Sequence, residues 1–247
     1  MTYFTYQNSP YPIRDDIKHE YAAYWKRLAT PGSWWTGAER IAVAREVRYA
    51  MQCEFCKRRK AAFSLYTLNG NHLSGDSLAP IAIDAVHRIV TDQSRITKAY
   101  VDDNVEKGLS KEAYVELAGI VVAVFSIDEF HRLLGLDLEA LPLPEPGEPS
   151  HYRPAQATED TGFVPMIPRD GAVGPESDLW SQDRIANVIR ALSVVPDALR
   201  DWRRIAGVQY LSLEGMGNLV GQDDRAINRM QMELVAGRVS AINQCFY

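Results

Sequence analysis

A proline-rich segment near the middle of the chain limits the folds that this sequence can adopt. Four prolines occur within residues 141–149, and prolines and glycines recur up to residue 175. Proline lacks the backbone N–H that a helix requires, and its ring clashes with the preceding turn, so a helix cannot continue through this segment. The sequence therefore predicts a linker over residues 141–176, between an N-terminal lobe over 1–140 and a shorter C-terminal lobe over 177–247.

Both flanking regions carry the apolar periodicity of α-helices and few patterns typical of strands. Thr36 and Glu39 have the spacing of a capping box, in which the threonine hydroxyl accepts a hydrogen bond from the glutamate amide. Ser110 is an N-cap candidate before a long apolar helix predicted over 111–134, which Gly135 closes. The helix that the capping box starts is predicted to end near Cys53, and further helices are predicted over residues 56–65, 77–90, 96–106, 183–193, 196–211 and 223–243. The predicted fold class is all-α.

Composition argues against several classes of protein. With 247 residues and 46% hydrophobic content, the chain can bury a sizeable core as one large or two small domains. A formal net charge of -5 disfavours a general nucleic-acid binder. The longest apolar run, Ala118–Phe125, is about a third of the length that a bilayer requires, so no membrane span is expected. Because no secretory signal is visible, we expect a cytoplasmic protein.

The three cysteines of the chain fall into two related motifs. Cys53 and Cys56 form a C-x-x-C, and Cys245 lies two residues before the last residue. Gln immediately precedes both Cys53 and Cys245, so the chain stops where a second C-x-x-C would be completed. In a reducing compartment a C-x-x-C is catalytic or metal-binding more often than it is a structural disulfide.

A C-x-x-C at the start of a helix has a physical basis for reactivity. Free backbone amides and the positive end of the helix dipole stabilise a thiolate, which is the form that attacks peroxides and disulfides. The basic residues 57–60 follow the motif, and any that lie near the sulfurs would lower the thiol pKa further. Two other interpretations stay open: inert buried cysteines beside a solvated basic face, and a nucleic-acid patch, which an acidic chain without interleaved aromatic residues disfavours.

A zinc site is a third alternative for the C-x-x-C. Structural zinc takes four nitrogen or sulfur ligands, so the two cysteines would need two partners. His72 and His87 follow the motif, but their spacings match no familiar zinc pattern. From the sequence we therefore expect no metal and no other cofactor.

The residues around the last cysteine resemble the signature of a known family. The matching residues are Glu233, Leu234, Val239, Ser240, Asn243, Cys245 and Tyr247. They resemble the pattern of the alkylhydroperoxidase D-like branch of the carboxymuconolactone decarboxylase superfamily, and residues 38–47, 53–56 and 108–116 resemble that family more loosely. The resemblance implies an all-α helical bundle, duplicated within one chain and with its second copy truncated. It also implies the double-lobed, peroxidase-related type that includes selenoproteins.

The resemblance also implies roles for individual residues. In this family the second cysteine of the motif attacks the peroxide, the first resolves the sulfenic acid into a disulfide, and a Glu and a His relay the proton. Cys56 is then the attacking thiol and Cys53 the resolving thiol. Lys60 stands at the position of the relay His, where it would stabilise a thiolate or a leaving hydroxide. His131 is another candidate relay, although a structural histidine is the alternative.

Each lobe departs from the family pattern at a different place. In the first lobe the acid position holds Ile41, and Glu39 and Glu46 stand at other offsets. In the second lobe Glu233 stands twelve residues before Cys245, as the pattern requires, but the attacking residue and the His would follow the last residue. We hypothesise that a selenocysteine codon was read as a stop; any codon but UGA after residue 247 in the gene would contradict this.

The expected function is a thiol-dependent peroxidase or related disulfide oxidoreductase that reduces hydroperoxides, with an antioxidant role. Its expected partners are a small-molecule hydroperoxide, a thiol or disulfide electron donor and further copies of the chain, because bundles of this family form symmetric oligomers. Neither nucleic acid nor membrane is expected. Two alternatives are a cofactor-free decarboxylase of the same superfamily and a non-catalytic oligomeric scaffold. Replacing Cys56 by Ser would separate the two enzymes, because only peroxide turnover needs the thiol.

Overall fold

The computed structural model describes residues 2–64, 68–75, 78–159, 161–181, 185–216 and 225–242. Within these residues the regular structure is helical, and β structure is limited to one isolated antiparallel bridge between Thr158 and Met166. The α-helices are α1 (Asp15–Ala29), α2 (Gly37–Ala50), α3 (Glu54–Ala61), α4 (Pro80–Thr91), α5 (Lys98–Glu106), α6 (Lys111–Leu133), α7 (Asn187–Arg190), α8 (Pro196–Gln209), α9 (Leu213–Met216) and α10 (Arg229–Ile242). The predicted all-α fold class is confirmed.

Two helix starts follow directly from the local sequence. Thr36 caps α2 in a complete capping box: its side chain accepts from the Glu39 amide, and the Glu39 carboxylate accepts from the Thr36 amide. The Ser110 hydroxyl accepts from the Ala113 amide at the start of α6. Each cap satisfies backbone N–H groups that have no partner inside the helix, so it fixes the first residue of the helix. Both predicted starts are confirmed.

The sequence prediction did not include α1. This helix buries Ile17, Tyr21, Tyr24, Trp25 and Leu28, whose spacing is that of an amphipathic helix. The apolar periodicity of a helix was therefore present in the sequence, but most of its apolar positions hold aromatic rather than aliphatic side chains.

The helix predicted over 183–193 is mostly wrong for its described part, which forms one helical turn, α7. The reason is tertiary hydrogen bonding. The Ser193 hydroxyl accepts from the Ile167 amide at 2.8 Å, and Arg190 donates to the Ile167 carbonyl at 2.9 Å. These bonds hold the chain in turns against the preceding segment.

The helices pack around α2 and α6. Helix α2 contacts α1, α4 and α6, while α6 also contacts α4 and α8, and α8 returns to α1. Buried side chains from α1, α2, α4, α6 and α8 form one continuous hydrophobic core. The residues after the predicted linker therefore share a core with those before it. The duplication and the division into lobes stay predictions.

The predicted linker runs along the connection between α1 and α2. The amides of Glu145, Ser150 and His151 donate to backbone carbonyls of residues 29, 32 and 33, at 2.8, 3.1 and 2.7 Å. The described part of 141–176 contains no α-helix, only a 3₁₀ turn at Gly174–Glu176. As for membranes, none of the described helices combines the length and the apolar character that crossing a bilayer requires.

Two ion pairs fix α2 against α6. Arg40 contacts Glu116 at 2.5 Å, and both side chains are almost fully buried. Arg48 makes two hydrogen bonds of 2.9 Å to the carboxylate of Asp128, which is also buried. A buried charge is tolerated only when it is paired and hydrogen-bonded, so these contacts define one relative position of the two helices.

Replacing Glu116 by Ala should destabilise the protein by about 3–5 kcal/mol, because it leaves the buried Arg40 charge without its carboxylate. Chemical denaturation of the unmodified protein and of Glu116→Ala measures the difference in their free energies of unfolding. Asp102→Ala is the matched control, since it removes a carboxylate from an ion pair with Lys98 on the surface of α5. Equal losses in the two variants would contradict the prediction.

Candidate functional site

Two cysteines and two histidines converge between α3 and α4. They are Cys53, Cys56, His72 and His87, and one sulfur or ring nitrogen from each lies within 4.8 Å of those of the other three. Three of the side chains are buried, and His72 is partly exposed. The cluster joins a helix start, a connecting segment and the middle of α4, which pack against one another.

The cysteines are placed by the first turn of α3. Cys53 is the N-cap residue of that helix and Cys56 lies in its first turn, so both sulfurs are close to the positive end of the helix. Both are free thiols. The Cys53 sulfur also accepts a hydrogen bond from the Leu73 amide at 3.3 Å, which ties the segment before α4 to the motif.

The histidines both turn Nδ1 toward the cysteines. His87 Nδ1 lies 3.2 Å from the Cys56 sulfur, and His72 Nδ1 lies 3.4 Å from the same sulfur. The distance from His72 Nδ1 to the Cys53 sulfur is 3.9 Å. Cys56 thus contacts both imidazole rings, and Cys53 contacts one.

In each histidine, the ring nitrogen that faces away from the sulfurs, Nε2, contacts a carboxylate. His87 Nε2 lies 3.0 Å from Glu46, and His72 Nε2 lies 3.0 Å from Asp84. Because a carboxylate accepts, Nε2 of each ring donates, and this fixes the orientation of Nδ1 toward the sulfurs.

The two carboxylates are themselves held by donors. Asp84 accepts from Arg59 at 2.6 Å and from the Tyr100 hydroxyl at 2.7 Å. Glu46, whose side chain has no exposed surface, accepts from the Ser74 hydroxyl at 2.6 Å. Burial alone would raise the pKa of both carboxyls, but these contacts and those with the histidines outweigh it and lower both pKa values. Both groups are therefore anionic at neutral pH.

Hydrogen bonds also control the charge on Cys56. Burial alone would raise its pKa, but the hydrogen bonds from His72 and His87 outweigh burial and lower the pKa to about 5. For His72, burial would lower the pKa, but the bonds to Asp84 and to the cysteines raise it to about 10. The arrangement therefore favours a thiolate paired with an imidazolium at neutral pH.

The pKa values of Cys53 and His87 shift in the same directions as those of Cys56 and His72. Burial would raise the pKa of Cys53, but the hydrogen bond from the Leu73 amide helps to lower it overall. Burial would lower the pKa of His87, but its bonds to Cys56 and Glu46 raise it overall. Both thiols are thus more acidic than ordinary cysteines.

The basic residues after the motif do not contribute equally. Lys60, the predicted cationic partner, lies on the exposed side of α3. Arg59 is buried instead, and its guanidinium contacts both Asp84 and, at 3.9 Å, the Cys56 sulfur. A cation does lie beside Cys56, but it is Arg59 and not Lys60, the residue that stands at the family's relay His position.

The remaining predicted site residues have other surroundings. His131 on α6 pairs through Nε2 with the Tyr6 hydroxyl and through Nδ1 with the Asp137 carbonyl, so both nitrogens are engaged away from the cysteines. This matches the structural alternative for that histidine. Glu233 forms a surface ion pair on α10. Cys245 lies outside the described residues.

The sequence did not predict most of the side chains that surround the two sulfurs. The sequence indicates His72 and His87 only as possible zinc ligands and Glu46 only as an acid at the wrong offset, and it gives no indication of Asp84. The available signal was polarity on buried helix faces: Glu46 shares a face of α2 with the buried Val43 and Ala50, and His87 follows the buried Val86 on α4. Charged or ionisable groups at such positions are rarely buried without a partner.

An open cleft reaches the outer edge of the cluster. Its volume is about 1160 Å³, and Asp84, which holds His72, is part of its wall. The cleft is lined by both apolar and basic side chains, including Phe63, Ile81, Arg88, Arg95, Tyr100 and Lys107. A small molecule in the cleft would be separated from His72 by the Asp84 side chain.

Comparison with protein-family models, with curated proteins and with solved structures gives no match.

In the reduced protein, treated with a chelator, the thiolate of Cys56 should form as the pH rises through about 5. The ultraviolet absorbance of the thiolate measures this titration, and Cys56→Ser should lack the transition. His19→Ala, on the exposed surface of α1, is a control that should titrate like the unmodified protein. A single transition near the ordinary thiol value of 9.0 would contradict the prediction.

Proposed function

We propose that this protein is a thiol-dependent peroxidase, or a related disulfide oxidoreductase, that reduces hydroperoxides through Cys53 and Cys56. The observation that carries the proposal is a chain of contacts from carboxylate to imidazole to sulfur. Glu46 lies 3.0 Å from His87 Nε2, and His87 Nδ1 lies 3.2 Å from the Cys56 sulfur. A nucleophile beside an imidazole that a third group orients is the arrangement expected for nucleophilic catalysis.

The first step uses the Cys56 thiolate as the nucleophile. The sulfur attacks the terminal oxygen of the hydroperoxide and the O–O bond breaks, so the sulfur is oxidised to a sulfenic acid and the peroxide is reduced. The leaving alkoxide takes a proton and departs as an alcohol. His87 is placed to supply that proton, and the negative charge of Glu46 stabilises its imidazolium form.

The second step uses Cys53 as the resolving thiol. Its thiolate attacks the sulfur of the sulfenic acid, a disulfide forms, and hydroxide leaves as water after taking a proton. His72 contacts both sulfurs and is placed to supply this second proton. A thiol donor then returns two electrons and two protons to the pair; a cytoplasmic location would provide such donors.

The proposal reassigns two roles that the family pattern implied. Glu46 and His87 take the place of the Glu and His that the pattern puts at other offsets, and they come from α2 and α4 rather than from the residues around the motif. Lys60 and His131 have no part in the proposed steps. Membership of the alkylhydroperoxidase D-like branch, an oligomeric assembly and the antioxidant role remain part of this proposal.

The two cysteines should behave differently when each is replaced by Ser. Cys56→Ser should abolish the reaction with cumene hydroperoxide, because it removes the attacking sulfur. Cys53→Ser should consume about one equivalent and then stop at the sulfenic acid, which has no resolving thiol. Mass spectrometry of the metal-free chains, with peroxide consumption measured in parallel, checks both outcomes. A Cys245→Ser background isolates the first motif.

Peroxide reduction that survives in Cys56→Ser would contradict the proposal. A wild-type chain that neither consumes peroxide nor forms the Cys53–Cys56 disulfide would favour the non-catalytic scaffold. Decarboxylation that persists in Cys56→Ser would favour the cofactor-free alternative.

The proposed proton relay predicts that replacing His87 slows the reaction with peroxide and that replacing Lys60 does not. His87→Asn should slow the reaction with peroxide by about 10²-fold or more, because a positioned acid or base contributes about that much. Lys60→Gln, the matched control on the exposed face of α3, should change the rate less than twofold, well below the typical contribution of an acid or base. Stopped-flow measurement of the first turnover gives both rates. The opposite order would favour Lys60, at the family's relay His position, as the group that stabilises the thiolate or the leaving hydroxide.

A further inference from the structure

We propose that the same cluster, with both cysteines reduced, is a zinc site whose four ligands are Cys53, Cys56, His72 and His87. This inference does not depend on peroxidase activity. It rests on the number, identity and spacing of the donor atoms and on the groups that orient them.

The spacing of the donors fits one metal ion. Zinc bonds of about 2.3 Å to sulfur and about 2.0 Å to nitrogen, arranged as a tetrahedron, put the ligand atoms roughly 3.3–3.8 Å apart. The sulfur-to-Nδ1 separations of 3.2, 3.4 and 3.9 Å in the cluster span that range. All four donor atoms lie within 4.8 Å of one another. Little movement is needed to close a tetrahedron around an ion.

The identity of the donors selects the metal. Two thiolates and two imidazoles form a closed tetrahedral set that suits Zn²⁺, whereas Mg²⁺ and Ca²⁺ prefer oxygen ligands. The two positive charges of the ion equal the two negative charges of the thiolates. Its binding would therefore neutralise Cys53 and Cys56 at the point where the imidazoles converge.

The groups outside the four ligands are those that a metal site needs. Metal-binding histidines commonly donate their second N–H to a carboxylate, and both histidines here do so, His72 to Asp84 and His87 to Glu46. The attack of Cys56 on peroxide uses His87, and His72 serves only the later resolving step. The second histidine has its own carboxylate, which Arg59 and Tyr100 hold in place, and four-coordinate binding accounts for all of these contacts.

Zinc binding and thiol chemistry would exclude each other at this site. The metal would occupy both sulfurs and both Nδ1 atoms, so that neither the attacking thiolate nor its proton donor remains available. Bound zinc should therefore protect Cys53 and Cys56 from alkylation, and a chelator should remove the protection.

The decisive test is a Co²⁺ titration of the reduced, chelator-treated full chain, followed by Zn²⁺. In the Cys245→Ser background we expect one equivalent of Co²⁺ to give the intense visible bands of tetrahedral coordination. Sulfur-to-cobalt charge transfer in the near ultraviolet should correspond to two thiolates, and one equivalent of Zn²⁺ should remove both signals. Weak octahedral bands, or the absence of thiolate charge transfer, would overturn the proposal.

Variants identify the ligands and the groups that orient them. His72→Asn should weaken zinc binding at least 100-fold, measured by competition with a chromophoric chelator. Asp84→Asn should weaken it by about 10–100-fold while keeping the tetrahedral cobalt spectrum, because Asp84 positions a ligand without binding the metal. His19→Asn, on the exposed surface of α1, is the control and should bind like the unmodified chain. Equal affinity in His72→Asn and His19→Asn would exclude His72 as a ligand and overturn the four-ligand site.

Failure of this inference is distinguishable from failure of the proposed function. If the metal-free chain forms the Cys53–Cys56 disulfide with peroxide but gives no tetrahedral cobalt spectrum, only the zinc site is wrong. If the four-ligand spectrum appears but the metal-free chain does not react with peroxide, the zinc site stands and the peroxidase proposal is wrong.

Discussion

The contact between Glu46 and His87 determines how the site can be built. Neither side chain has any exposed surface, and together they join α2 to α4 in the interior. Burying a carboxylate and an imidazole is costly unless each is hydrogen-bonded. The fold is therefore stable only when α2 and α4 pack so that Glu46 meets His87. Helix α2 is in turn fixed to α6 by the pairs of Arg40 and Arg48. The position of Nδ1 beside the Cys56 sulfur is thus set by the packing of three helices.

Sequence predicted the features that depend on local chemistry. The capping signals at Thr36 and Ser110 gave the correct helix starts, and the C-x-x-C identified the two sulfurs, because each of these patterns spans a few neighbouring residues. The partners of the sulfurs could not be found in this way. His72 and His87 meet Cys56 only through the packing of α3 against α4, so their spacing in the sequence matches no short metal motif.

A single residue of offset explains the difference between Lys60 and Arg59. Successive residues of an α-helix point about 100° apart, so only one of two adjacent cations can face the cluster. Arg59 is the one that faces Asp84, and Lys60 points to solvent. The family pattern indicates where a residue stands in the sequence, but the rotation of α3 against α4 decides which side chain reaches the sulfur. That rotation is a property of the packed helices.

The hydrogen bond from the Leu73 amide to the Cys53 sulfur couples the backbone before α4 to the charge of that sulfur. A thiolate is a much better acceptor than a thiol or a disulfide sulfur, so the same bond is strong in one state of Cys53 and weak in the others. The neighbouring residues connect this bond to the rest of the site, since His72 contacts both sulfurs and Ser74 donates to Glu46. A change in the charge of Cys53 would therefore change the strength of one of the bonds that hold residues 72–74 in place.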